Sequence, residues 1–138
     1  METEGIIVEK LVFISSPYAG DVEANTAFAK AACLFAVKQG VVPVAVHLMY
    51  PQILDDRIPT EREKGLDMGL RVLEACDEIW IFGERISEGM WQEWEAAEKL
   101  GIPVRMVSSD EIAVFLDRMK SRTCEWNRSQ PEMEMSRC

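Results

Sequence analysis

The chain has a single histidine, His47, and its four cysteines, Cys33, Cys76, Cys124 and Cys138, include no CxxC pair. The usual Cys and His sets for zinc are therefore not expected. No apolar run reaches the roughly 18 residues that a membrane-spanning helix needs. The opening METEGIIVEK is acidic and lacks the basic start and long apolar stretch of a signal peptide. The expected setting is a reducing cytoplasm, with Cys33 and Cys76 as small core residues in apolar helical contexts. Positive charge is also scarce: 15 Lys and Arg oppose 24 Asp and Glu, a net charge of −9. From Ser121 onward Arg122, Arg128 and Arg137 balance Glu125, Glu132 and Glu134, so the whole excess belongs to residues 1–120. A surface this acidic repels duplex phosphates. A small anion held by backbone N–H groups stays possible. Internal repeats, low-complexity runs, a GxGxxG turn and a GK[ST] phosphate loop are all missing.

What is present suits one globular domain. The 138 residues are 48% hydrophobic and 28% charged. A chain of this size buries roughly two-thirds of its unfolded surface without a disulfide or metal staple. Lys10 to Ser15 reads as a strand, stopped by Ser16-Pro17. Asp21 can cap a helix whose stripe is Ala24, Phe28, Ala31, Ala32 and Phe35, ended by Gly40. Val41 to Val46 is a second strand, and Tyr50 to Pro59 a loop. Thr60 and Glu63 resemble a capping box for a helix with Leu66, Leu70 and Leu73 on one side. Glu78 to Phe82 is a third strand. A helix from near Ser87 to Leu100 buries Met90, Trp94 and Ala97. Ile102 to Val107 is the fourth strand. Ser109 or Asp110 caps a last helix to about Lys120, with Ile112, Phe115, Leu116 and Met119 inward. Residues 121–138 read as a flexible polar tail. Met68, Met90, Met106 and Met119 read as core filler. The alternation predicts a small doubly wound, Rossmann- or flavodoxin-like α/β domain over residues 1–120, with a parallel sheet of four to five strands and helices on both faces.

Ligands of such folds bind beyond the carboxyl ends of the strands. The first strand ends in Ser15-Ser16-Pro17-Tyr18, either an ordinary turn or a cradle for a phosphate or sugar. The second ends at His47, structural or ligand-contacting, with Tyr50 close behind. The third leads to Ser87, Gly89 and Met90 and then to Glu93, six residues after Ser87 and about one and a half turns into the helix. Glu93 sits at the margin of the buried stripe, where a carboxylate can be kept partly dry, as a nucleophile requires. Glu88, Glu95 and Glu98 have no such placement.

Three stretches, Phe13-Ile-Ser-Ser-Pro-Tyr18, Cys76-Asp-Glu-Ile-Trp-Ile-Phe-Gly83, and Ser87-x-Gly-x-x-x-Glu93 followed by Ala97 and Gly101-Ile-Pro-Val104, carry a family likeness over about residues 10–107. The chain resembles the nucleoside 2-deoxyribosyltransferase-like superfamily, especially its short phage- and bacteria-associated members. The resemblance implies that Glu93 is the nucleophile in hydrolysis or transfer of the N-glycosidic bond of a (deoxy)nucleoside or its 5′-monophosphate. The strand ends described above supply the expected substrate shell of Ser15, Ser16, Pro17, Tyr18, His47, Ser87, Gly89 and Met90. The resemblance further implies no metal, no cofactor, and a homo-oligomer. A serine at the place of Ser87 resembles the deoxynucleoside 5′-monophosphate N-glycosidases, where it contacts the phosphate. Two positions depart from the family pattern. Phe13 stands where a tyrosine is common, and Gly69 stands where an aspartate lies eight residues before Asp77. Asp67, two residues from Gly69, is the expected stand-in acid, with Asp55 and Asp56 as other proton donors. The alternative function is a catalytically silent nucleotide-binding or sequestering protein on the same fold. A structural subunit with a vestigial pocket is a third.

Overall fold

The computed structural model describes residues 9–128. Leu11–Ser15 forms β1, and Val22–Lys38 forms α1, whose N-cap Asp21 accepts a hydrogen bond from the Ala24 N–H. A short β2, Val42–Val44, runs into a 3-10 turn, Val46–Leu48, and a single helical turn, α2, Tyr50–Ile53. Then follow α3 (Pro59–Glu74), β3 (Glu78–Phe82), α4 (Glu88–Leu100), β4 (Val104–Val107) and α5 (Ser109–Arg128). Among the described residues the strands form one parallel sheet in the order β2-β1-β3-β4. This is the expected doubly wound α/β fold, with four strands.

Side chains alternate across a strand, and here the alternation sorts the core in two. Val12 and Ile14 of β1, with Trp80 and Phe82 of β3, pack on Ala32, Phe35 and Ala36 of α1 and Ile112 of α5. Phe13 with Ile79 and Ile81 faces the other way, onto Leu73 of α3 and Met90 and Ala97 of α4. Phe35 meets Trp80, Phe82 and Phe115 edge to face. The Arg105 guanidinium lies 4.4 Å from the Trp80 ring centroid and closes that layer at the edge strand. No helix among the described residues is long and apolar enough to cross a membrane.

Several local expectations are corrected. The loop expected from Tyr50 to Pro59 contains α2, because Pro51 in its first turn loses no helical hydrogen bond. The capping box at Thr60 is absent. Pro59 starts α3 at its first position, the N-cap is Ile58, and no side chain caps it. Glu61 instead accepts a 2.6 Å hydrogen bond from the Asp55 N–H. The last helix is capped by Ser108, whose Oγ accepts from the Glu111 N–H, and Glu84 holds Ser109 through both its N–H and its hydroxyl. That helix continues past Lys120 to Arg128, so it takes in the start of the expected tail. Residues 129–138 lie outside the described ones. Ala24, Leu66 and Leu116 are exposed rather than inward, while Ala29 is buried. Met106, on the edge strand β4, is half exposed.

Candidate functional site

In the order β2-β1-β3-β4 the winding reverses between β1 and β3, and a crevice opens beyond their carboxyl ends. Here it is a cavity of about 390 Å3, within the range of small-molecule sites. Ser16, Tyr18 and Ala19 line it from the loop after β1, and Val46, His47, Tyr50 and Pro51 from the turn and α2. Arg62, Gly65, Leu66, Gly69 and Leu70 come from α3. Ser87, Glu88, Gly89, Met90, Gln92 and Glu93 come from the start of α4. A shallower groove shares Asp56, Arg62 and Leu66 with it.

Two adjacent serines organise the floor. Ser15 shares the strand face of Phe13, toward α4, and its Oγ donates a 2.7 Å hydrogen bond to Glu93 Oε1. Burial pushes the Glu93 carboxyl up to about 7, with the Ser15 hydrogen bond pulling the other way. Ser16 Oγ and His47 Nε2 share a 2.7 Å hydrogen bond. Burial holds His47 down at about 4, so its ring is uncharged at neutral pH. One cavity thus contains a carboxyl poised between its two forms and a neutral imidazole. Ser15 is fully buried and Ser16 nearly so, which fixes both hydroxyls.

The start of α4 follows the expected pattern. Ser87 is its N-cap and accepts from the Met90 N–H at 3.2 Å. Gly89 and the buried Met90 form the wall beside it. The loop carrying Tyr18 is pinned by Asn25, whose Nδ2 donates to the Tyr18 and Ala19 carbonyls.

Seven of the ten expected site residues line the cavity: Ser16, Tyr18, His47, Ser87, Gly89, Met90 and Glu93. Ser15 lies beneath it and reaches it through Glu93. Pro17 is not among the lining residues. Asp67 is exposed and absent from the lining. Two residues of helix turn the chain by about 200°, so the Gly69 side of α3 faces the cavity and Asp67 faces away. Of the other aspartates, Asp55 is bound to Arg57 and Asp56 lines the cavity. Asp77, a residue of the third-strand stretch, lies at the far end of the strands. Its carboxylate accepts from the Leu11 N–H at 2.8 Å, a structural role.

Arg62, Glu61 and Gln92 were not anticipated as cavity residues. The signal for α3 was present in the spacing of Gly65 and Gly69 with Arg62 and Leu66. These small residues, one turn apart, leave room between α3 and its neighbours. A Cβ on Gly69 would touch Val46 Cγ2 at 3.5 Å, an ordinary contact.

Among the described residues no group of three or more His, Cys, Asp or Glu is arranged to hold a metal ion. No curated protein matches the chain. Residues 10–107, from the start of β1 through β4, match the family model described as a domain of unknown function, DUF7768, and the chain belongs to that family.

Proposed function

We propose that this protein hydrolyses or transfers the N-glycosidic bond of a (deoxy)nucleoside or its 5′-monophosphate, with Glu93 as the nucleophile. The observation that carries the reading is the Glu93 carboxyl itself. It lines a ligand-sized cavity, is oriented by Ser15 at 2.7 Å, and is kept dry enough to stand near neutral pH. A desolvated carboxylate gains most from the positive charge that develops on a sugar ring as its base departs. Glu93 attacks the anomeric carbon, the C–N bond breaks toward the base, and a glycosyl ester remains. Water or a second base then displaces Glu93. Neutral His47, held by Ser16, offers a hydrogen bond to the sugar or base without adding charge. The same reading includes a reducing, cytoplasmic setting, in which Cys33 and Cys76 remain thiols. It also includes a homo-oligomer. Trp91, half exposed and stacked on Trp94 with ring centroids 4.9 Å apart, is a suitable interface residue.

A second reading, a nucleotide-binding protein without turnover, is favoured by Phe13 and Gly69. Phe13 is fully buried and brings no hydroxyl to the site. Gly69 brings no carboxyl to the cavity wall. Chromatographic detection of free base from nucleosides and their 5′-monophosphates, with Glu93→Gln alongside, separates the two. Release by wild type and its loss in the variant, by about a thousandfold or more, supports the enzyme. Saturable binding with no release supports the binding protein.

A further inference from the structure

The charges around the cavity narrow the substrate, on the footing that the glycosidic reading holds. Among the described residues three carboxylates, Asp56, Glu61 and Glu88, line it together with the Glu93 carboxyl, against one guanidinium, Arg62. His47 adds no positive charge at neutral pH. The start of α4 is where a phosphate would be drawn. It carries Glu88 in its first turn, and the Ser87 Oγ already accepts from the Met90 N–H. A phosphate dianion placed there meets repulsion from several sides.

The supply of protons points the same way. A neutral base must gain a proton as it leaves. Among the described residues the cavity holds no buried carboxylic acid for that task besides the nucleophile, and the phenols of Tyr18 and Tyr50, which also line it, are far weaker acids than a carboxyl. Asp56 and Glu88 are exposed to water, Glu61 is engaged with the Asp55 N–H, Asp67 is outside, and Gly69 has no side chain. A base that is already cationic needs no proton, because the electron pair of the broken C–N bond neutralises its ring.

We infer that the preferred substrate is an N-glycoside whose base bears a positive charge and whose sugar bears no phosphate, such as a 7-alkylpurine or a pyridinium nucleoside. Glu93 forms its bond to the anomeric carbon as the C–N bond breaks, and the base departs neutral. Water then attacks the glycosyl ester, Glu93 leaves as carboxylate, and one proton passes to solvent. The anionic lining holds the cation in the ground state, and Glu93 holds the charge as it moves to the sugar.

The test is base release by the full chain from 7-methylguanosine and nicotinamide riboside. Guanosine and the 5′-monophosphates of all three serve for comparison, in ribose and 2-deoxyribose forms, with each rate divided by its uncatalysed rate. The expected result is a normalised kcat/KM at least about a hundredfold higher for a cationic nucleoside than for guanosine, the scale of general-acid assistance. The monophosphates should be poorer still. Which cation is cleaved distinguishes the purine from the pyridinium source. Asp56→Asn with Glu88→Gln, two exposed positions, should lower the preference about tenfold through KM, and rising salt should erode it in wild type. Equal or better cleavage of guanosine or of a monophosphate overturns the inference and leaves the glycosidic reading standing. Absence of release from every substrate overturns both.

Discussion

Glu93 and His47 share one cavity, and burial shifts them in opposite directions along the pH axis. Glu93 rises from 4.5 to about 7, so the folded state binds more protons than the unfolded state between those values. Its contribution to stability is present below 4.5 and is lost as pH rises through about 7. His47 falls from 6.5 to about 4, so its contribution is present above 6.5 and is lost as pH falls toward 4. Between 4.5 and 6.5 the two slopes oppose each other. Glu93→Gln keeps an acceptor for Ser15 and removes the cost of ionisation. It should raise the unfolding free energy by about 2–3 kcal/mol at roughly pH 8 and by almost nothing at roughly pH 4. Denaturant titrations across that range also expose the His47 slope in the variant. Base release by wild type should rise with pH through about 7, because only the carboxylate attacks. A pH-rate profile that falls there would remove Glu93 from the nucleophile's role. Gly69→Asp supplies the missing acid at a wall where a Cβ finds ordinary contact. It should raise release from neutral nucleosides by about tenfold to a hundredfold, read from kcat/KM on guanosine.

At the scale of elements, the two helices that border the cavity begin differently. The N-cap of α4 is Ser87, with its side chain bonded to the Met90 N–H, whereas that of α3 is Ile58, with no side-chain bond. Ser87→Ala should cost about 1 kcal/mol and loosen the wall that carries Glu93, seen as a lower Tm. Ile58→Ser places a capping hydroxyl on a residue whose backbone is already extended, at φ −96 and ψ 115. It should add about 0.5–1 kcal/mol in denaturant unfolding. The start of α4 was legible because Ser87 and the stripe of Met90 and Ala97 agree. The start of α3 was not, since Thr60 and Glu63 imitate a capping box while Pro59, one residue earlier, is the better first helical residue.

At the scale of the whole molecule, one sheet joins two apolar layers among the described residues. Phe35 anchors the α1 and α5 side, and Leu73 the α3 and α4 side. Phe35→Ala should cost about 3–5 kcal/mol and Leu73→Ala about 2–5. Both variants should unfold in a single transition with an unchanged denaturant slope. Two separate transitions would show that the layers fold independently.

Taken alone, the sequence determined the class of fold, the position of β3, the cap of α4 and the candidacy of Glu93. Each of these rests on local chemistry: strand periodicity, a serine before a helix, a carboxylate beside an apolar stripe. Tertiary structure decided which side chains meet. Strand parity sends Ser15 to Glu93, across 78 residues. The turn after β2 brings His47 to Ser16, across 31. The rotation of α3 turns Gly69 and Arg62 toward the cavity and Asp67 away. Burial at that meeting point sets the charge of both titratable groups, and burial belongs to the packed whole.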